Sequence, residues 1–360
     1  MAVLILKFPG KDNDMGNNTS NRLLVMDGLK LMAAYFVVTI HTGFHGAFDS
    51  CLRAVSEFAV PFFFMCSGYF LYGNSPEKNW KRTGHVLKLF LGAALLYTLY
   101  QLATIAGLQD VQTAKAYFLG LLRRDMIIRT LVFNDTAIPH LWYLNALVYV
   151  CFIHYWLSRW KVSDKVLFGS VLILLTLRIL IWQTFTAVVP ENGGYIYIVR
   201  NFLFEAYPMV GIGMAIRRFR SALPRITLPK LAVLLTVAAC EAIFERVVLG
   251  QEAIPFGATM IAVLLLLYSL DAQPKGKGQF LEMAGVYSTF VYIMHPMIID
   301  ALSILFLVVG FSLDSPLKVN GFPFLVCFLS TVAAWIFYTL RKAAVDWYRE
   351  KRRDNHGTYA

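Results

Sequence analysis

The chain has 360 residues, of which 58% are hydrophobic and only 15% are charged, and its formal net charge is +11. Soluble domains are nearer half apolar with about a quarter of their residues charged, so this composition excludes an ordinary soluble protein. It predicts a protein that crosses a membrane several times.

Apolar runs of about 20 residues have the length that crosses a bilayer as a helix. The chain has about ten such runs, at residues 23–43, 54–73, 85–107, 139–158, 166–187, 202–216, 231–249, 253–270, 286–309 and 322–340. The sequence therefore predicts an all-α, polytopic membrane protein with a single ten-helix transmembrane domain over residues 22–342. A flexible tail is predicted over residues 1–21, and a basic cytoplasmic tail over residues 343–360.

The basic residues predict how the helices are oriented. With the N-terminus inside, most of the 33 lysine and arginine residues fall in segments that face the cytoplasm, as the positive-inside rule requires. Both termini are therefore predicted to be cytoplasmic, in the cell (inner) membrane. The net charge then faces anionic lipid headgroups, and no nucleic-acid partner is expected.

One longer segment, residues 108–138, lies on the outer side in this topology. It mixes apolar residues with Arg123, Arg124 and Arg129, whose charges do not fall on one helical face. We therefore expect this segment to be interfacial or re-entrant.

The first apolar run contains ionisable residues that a plain membrane anchor avoids, because removing their water is costly. Asp27 and Lys30 are spaced for an i,i+3 ion pair at the helix start. His41 is predicted to lie deep in the span, eleven residues after Lys30 and on the same helical face, about 16 Å further along the axis. The stripe indicates either a helix-entry ion pair with a core histidine, or two ends of one binding path.

Metal chemistry is not predicted. His45 lies one turn after His41, but no carboxylate or cysteine is spaced to complete a metal site, so no metal is expected. The five cysteines show no paired spacing, so neither a disulfide framework nor a zinc site is indicated.

Two further runs contain small or polar residues with alternative interpretations. Ser67 and Gly68 favour close packing of helices, as small residues do in membranes, over a site role. Trp142 is typical of the outer membrane interface. Asn145 lies deeper and needs a hydrogen-bond partner.

Charged residues also fall inside later runs. Arg178 and Glu241 both fall near the midplane and are predicted to pair, either as a structural ion pair or as a substrate contact. Glu205 is either a site carboxylate or a headgroup-level residue. His295 lies beside Pro296, where a helix kink frees a carbonyl, and has either a packing or a site role.

Several blocks resemble one known family, the acyltransferase-3 membrane proteins, which O- or N-acylate extracytoplasmic sugars and related acceptors. Lys30 and His41 match its Arg/Lys-x10-His signature, and Lys30 stands where an arginine is commoner, which gives up bidentate recognition. The other matching blocks are residues 27–30 (DGLK), 62–71 (FFFMCSGYFL), 141–144 (LWYL) and 292–296 (YIMHP). The form here is most similar to a bacterial subgroup that includes polysaccharide acetyltransferases and the membrane half of serine-racemase resistance proteins.

The resemblance implies an O-acetyltransferase-like enzyme. It implies an acyl-CoA donor, usually acetyl-CoA, that enters from the cytoplasm, and His41 as the essential histidine. The acceptor would be a hydroxyl or amine of an extracytoplasmic glycan or small molecule.

The spacing in the first helix is compatible with that chemistry. Lys30 would hold a CoA phosphate near the inner surface, and His41 would act as general base or become transiently acylated. Asp49, Glu57 or Glu205 would orient the imidazole, and the loop arginines of residues 108–138 would guide an anionic glycan.

Two other function classes stay open. A transporter for a small polar solute, such as an amino acid or sugar, fits the charged residues near the midplane, although no repeated halves with broken helices are evident. A receptor or scaffold without chemistry is the third possibility.

Overall fold

The computed structural model describes residues 23–188, 196–250, 256–272 and 279–357. Within these ranges every regular element is helical and there is no strand, so the predicted all-α class is confirmed. The predicted tail over residues 1–21 lies outside the described residues.

The helices follow one another with short connections. In chain order they are α1 (Leu24–Thr42), α2 (Ala47–Ser56), α3 (Ala59–Leu71), α4 (Pro76–Leu108), α5 (Val111–Leu121), α6 (Arg124–Val132), α7 (Trp142–Arg159), α8 (Asp164–Val188), α9 (Ile196–Val199), α10 (Tyr207–Arg218), α11 (Leu228–Ile243), α12 (Phe256–Asp271), α13 (Gln279–Val309) and α14 (Pro316–Gly357). A 3₁₀ turn, Pro139–Leu141, precedes α7. Two π-helical turns, Phe202–Ala206 and Phe244–Val248, lead into α10 and extend α11.

Seven helical segments of the described chain are long and apolar enough to cross a membrane. They are Leu24–Thr42, Ala47–Leu71, Pro76–Leu108, Pro139–Arg159, Asp164–Thr184, Met283–Val309 and Pro316–Trp347. Each coincides with one of the predicted spans. The remaining predicted spans contain α10, α11 and α12, which have 12, 16 and 16 residues. The multi-span architecture is confirmed, and the total of ten stays a prediction.

Local sequence signals explain several helix starts. Ser75 accepts a hydrogen bond from the Lys78 backbone N–H at 3.3 Å, and Pro76 occupies the first turn of α4, where its missing N–H costs nothing. Asp110 accepts one from the Thr113 N–H at 2.8 Å and caps α5. The first cap starts α4 nine residues before the predicted run 85–107, and the second starts a short helix inside the segment 108–138.

The segment over residues 108–138 forms two short helices, α5 and α6, followed by a loop. Two hydrogen bonds attach the end of α6 to α7: Asn145 Nδ2 donates to the Thr130 carbonyl and the Tyr149 hydroxyl donates to the Leu131 carbonyl, both at 2.9 Å. Many of its large apolar side chains are exposed. Its predicted interfacial or re-entrant position stays a prediction.

The chain divides into two compact units. The first consists, in its described part, of residues 23–49 and 279–357, with α1, α13 and α14 as its helices. The second consists of residues 50–272 and contains the helices from α3 to α12.

In the first unit, α13 packs closely on α1 and both run in the same direction, because Asp27 lies beside Gly285 while His41 lies beside His295. Helix α14 runs antiparallel to α1. The backbone N–H of His45, after the end of α1, donates to the side chain of Asn320 near the start of α14, at 2.8 Å.

In the second unit, α3 is the central helix and packs against α7, α10 and α12. A Cβ at Gly68 would overlap the Val210 carbonyl, and a Cβ at Gly213 would overlap the Met65 carbonyl. The two glycines therefore let the backbones of α3 and α10 touch, as the sequence predicts for small residues in this run.

We predict that Gly213→Ala lowers the thermal denaturation midpoint of the detergent-solubilised protein. The added methyl group overlaps backbone that cannot move away, and overpacking of this kind costs about 1–3 kcal/mol or more. Gly169→Ala is the matched control: it lies in helix α8, nothing lies within 4 Å of its Cβ position, and alanine favours the helix. Equal midpoints for the two variants would contradict the close contact of α3 with α10.

Candidate functional site

The polar residues at the start of α1 are in contact with one another and with α13. Lys30 Nζ donates to Asp27 Oδ1 at 3.2 Å, so the predicted i,i+3 pair is confirmed. The Lys30 and Asp27 side chains are only 21% and 14% exposed. A Cβ at Gly285 would lie 2.8 Å from the Asp27 carboxyl carbon, so only glycine leaves room for this carboxylate against α13.

The second predicted residue of the stripe, His41, lies at the other end of the same helix. Both Lys30 and His41 belong to α1, as the spacing predicts. The prediction that His41 lies deep within the span is wrong. Gly43, with a φ of 71°, ends the helix one residue after Thr42, so His41 lies in the last turn and is exposed.

The structure brings His41 together with His295. Their ring centroids are 5.2 Å apart with an angle of 38° between the planes, and His295 is fully buried. His295, the residue before Pro296, therefore lies against His41, and α13 continues through the proline. The two histidines meet although they are 254 positions apart in the sequence.

One hydrogen bond orients the buried His295 ring. His295 Nδ1 lies 3.1 Å from the carbonyl oxygen of Val291, four residues earlier in α13. A carbonyl only accepts, so Nδ1 of His295 is the donor in this hydrogen bond. The orientation of His295 beside His41 is thereby set by the backbone of α13.

The second unit contains a different polar group. Arg178 Nη2 lies 2.8 Å from Glu205 Oε2, and the Glu205 side chain is fully buried while that of Arg178 is 11% exposed. The predicted pair of Arg178 with Glu241 is therefore wrong. Helix α11 packs on α12 and places the Glu241 carboxylate against Gly257, whereas α8 packs on the π-helical turn that carries Glu205.

Two arginines that the sequence left unassigned join this group. Arg246 Nη1 lies 3.5 Å from Glu57 Oε1. The Arg200 guanidinium lies 4.7 Å above the ring of Trp142, which makes the predicted interface tryptophan a cation–π partner. One signal was available in the sequence, since both arginines fall on the side where the positive-inside rule expects few.

Three other predicted residues have structural contacts. Ser67 is hydrogen-bonded to the Tyr143 hydroxyl, and Asn145 donates to the Thr130 carbonyl. Asp49 Oδ1 accepts a hydrogen bond from the Phe44 backbone N–H at 2.8 Å, which orders the turn after α1.

The loop arginines are partly engaged in ion pairs. Arg129 pairs with Asp135, and Arg123 donates to Asp125 at 3.0 Å, a hydrogen bond that lowers the pKa of that carboxyl. Their predicted role in guiding an anionic glycan stays a prediction.

A separate open cavity of about 540 Å³ lies in the second unit. It is lined by Tyr72, Gly73, Asn74, Asp164, Arg217 and Arg218. None of these residues was among the predicted site residues. Within the described residues, no three histidine, cysteine, aspartate or glutamate side chains are placed to hold a metal ion.

Comparison with known proteins gives one family. The sequence model of the acyltransferase-3 family, described as an acyltransferase domain, matches residues 23–339. No curated protein and no solved structure matches the chain significantly. The match covers the helical region up to residue 339, within α14, with its several long apolar helices, so the chain is a multi-pass membrane protein.

We predict that Arg178→Met strongly destabilises the protein. The substitution leaves the Glu205 carboxylate buried and uncompensated, a change that costs about 3–5 kcal/mol. Adding Glu205→Gln should recover part of the lost thermal stability. Arg218→Met is the control, because the Arg218–Asp164 pair is 50% and 40% exposed, and such pairs contribute about 0–1 kcal/mol. A loss no larger than in the control would contradict the buried pair.

Proposed function

The chain belongs to the acyltransferase-3 family, and from this premise we propose that it transfers an acyl group, acetyl in the first instance, from acyl-CoA to an extracytoplasmic acceptor. The acceptor group is a hydroxyl or amine, as on a surface glycan. The observation that carries the proposal is the contact of His41 with His295. His41 lies on the same helix as Lys30, which is paired with Asp27.

Lys30 is proposed to hold a phosphate of the donor. Its ammonium is already held at a fixed place by Asp27, and a phosphate oxygen would form a shorter, charge-assisted hydrogen bond with it. His41 follows at about 16 Å along the axis of α1, a distance that the pantetheine arm of CoA can cover. The thioester would then lie beside the histidine pair.

His41 is proposed to do the chemistry. As general base, it takes the proton from the acceptor hydroxyl while the oxygen attacks the thioester carbonyl. The new carbon–oxygen bond forms, the carbon–sulfur bond breaks, and the proton passes from His41 to the leaving thiolate. In the second route, His41 first accepts the acyl group and then delivers it to the acceptor. Both routes use the same residue.

His295 is proposed to be a positioning residue. Its ring is fixed by the hydrogen bond from Nδ1 to the Val291 carbonyl and packs against the His41 ring. A base in the exposed last turn of a helix gains from such support, because catalysis depends on keeping the reacting groups aligned.

The ten-span topology with both termini in the cytoplasm is proposed on the same basis. Helices α1 and α13 run parallel, so an odd number of crossings must separate them if both span the membrane. Four of the seven long apolar segments lie between them. One or all three of α10, α11 and α12 must therefore cross as well, and three gives ten. Labelling single cysteines in the loops with an impermeant reagent tests this topology.

A transporter for an amino acid or sugar is the alternative, because the buried Arg178–Glu205 pair would also suit a solute pathway. Acetyl-CoA should raise the thermal denaturation midpoint of the purified protein, and free amino acids should not. Amino acid uptake by proteoliposomes, with no effect of acetyl-CoA, would favour the transporter.

We predict that His41→Ala lowers acetyl transfer from labelled acetyl-CoA, with membranes of the source cell supplying acceptors, by at least about 100-fold. This is the contribution expected of a general base. His45→Ala is the matched control, because its side chain is exposed and its backbone, which bonds Asn320, is unaffected. His45→Ala should retain the wild-type rate.

Both variants must first be shown to insert and to elute as the wild type does in detergent. Full activity in His41→Ala would remove the enzyme interpretation, and an equal loss in both variants would place the effect in the fold of the turn.

A further inference from the structure

The second unit contains a charged cluster, in which Glu205 is fully buried and the other members are partly exposed. We define the cluster as Arg178, Arg200, Arg246, Glu57 and Glu205. Arg178 pairs with Glu205, and Arg246 pairs with Glu57. The charges of all three arginines lie within electrostatic range of the Glu57 carboxylate, as does that of Arg53 in α2, which is not counted in the cluster. With three cations and two anions, the cluster has one positive charge in excess.

The excess is located on Arg200. Its guanidinium stacks on Trp142, and within the described chain it forms no ion pair with a carboxylate. Its charge acts on both Glu57 and Glu205. A stacked guanidinium keeps its N–H edge available for two oxygens of an anion such as a carboxylate or a phosphate.

Buried atoms of the cluster also lack hydrogen bonds. Three buried atoms have no hydrogen bond within the described residues. They are both carboxylate oxygens of Glu205 and Nη1 of Arg246. The close approach of Arg178 to Glu205 is an ion pair by distance without hydrogen-bond geometry. Buried charged groups normally make all their hydrogen bonds, so a polar ligand is the natural source of the missing ones.

The backbone around the cluster also supports a ligand-binding site. Glu205 and Arg246 both lie on π-helical turns, Phe202–Ala206 and Phe244–Val248, which are rare and are frequent at functional sites. The first turn is firmly held rather than frayed. Asn201 Oδ1 accepts from the backbone N–H of Leu203 and of Phe204, at 2.9 and 3.0 Å.

We propose that this cluster binds a ligand carrying one acidic group and neighbouring hydroxyls, which is the chemistry of an acidic sugar. The acid would pair with the Arg200 and Arg246 guanidiniums, and the hydroxyls would donate to the free acceptor positions of Glu205. The assignment of this ligand as the acyl acceptor rests on the proposed function. Binding of the acidic sugar to the cluster does not depend on that function.

Acidic and neutral sugars test the proposal directly. The full chain is purified in detergent, and glucuronate, glucose 6-phosphate and glucose are titrated while the thermal denaturation midpoint is followed. At least one acidic sugar should raise the midpoint saturably, and glucose should not. No shift with either acidic sugar, or an equal shift with glucose, would overturn the proposal.

Variants of Arg246 test whether the acidic sugar binds at the cluster. Arg246→Gln should weaken binding of the acidic sugar at least 10-fold. Arg246→Lys keeps the charge but loses the planar fork, so it should bind with intermediate affinity and guards against a folding defect. Arg220→Gln is the matched control, because the side chains of the Arg220–Asp271 pair are 23% and 25% exposed, against 21% and 22% for Arg246–Glu57. Unchanged binding in Arg246→Gln would contradict the site.

CoA could also present phosphates to this cluster, so CoA is added as a competitor. The proposal expects acidic sugar and CoA to bind together, and displacement of the sugar by CoA would overturn the assignment to an acceptor. Acidic-sugar binding without any acyl transfer would support the cluster as a binding site while contradicting the proposed function. Acyl transfer without acidic-sugar binding would do the reverse.

Discussion

The close packing of α1 on α13 is the constraint on which the first unit depends. Gly285 leaves room for the Asp27 carboxylate, which in turn holds the Lys30 ammonium in an ion pair. Because the two helices run parallel, the same packing brings His41 and His295 together at the other end. Lys30 and His41 thus share one helix, with a separation set by the helix rise, and His295 meets His41 from the adjacent α13. Sites placed on rigid helices keep their geometry better than sites placed on loops.

In the second unit the charged side chains are arranged differently. The glycine contacts between α3 and α10 close-pack the centre, and the polar residues gather around two π-helical turns, where the regular ladder of backbone hydrogen bonds is interrupted. Without Arg178, the fully buried carboxylate of Glu205 would strongly destabilise the folded protein. Structural ion pairs need no third arginine, yet Arg200 stacks on Trp142 within range of both carboxylates. The surplus of cation over anion is what separates this group from a purely structural network.

Sequence reasoning predicted those features that depend on local pattern. Apolar run length predicted the spans, and the i,i+3 and eleven-residue spacings predicted the Asp27–Lys30 pair and the shared helix of Lys30 and His41. It failed where tertiary packing decides. The partner of Arg178 is Glu205 rather than Glu241, because helix packing and not depth in the membrane selects the carboxylate. The end of the first run at residue 43 was predicted correctly, but His41 was still expected deep in the span, whereas it lies in the last turn of α1. The contact of His41 with His295 joins residues more than 250 positions apart, which no local spacing reveals.

The central claim is that an acyl donor lies along α1, from the Lys30 ammonium to the His41 imidazole. An experimental structure of the protein with a non-transferable acyl-CoA analogue tests it most directly. The account predicts a CoA phosphate within about 3 Å of Lys30 Nζ and the thioester carbonyl within about 3.5 Å of the His41 ring. A donor bound with its thioester remote from His41, or with its phosphates remote from Lys30, would contradict the account.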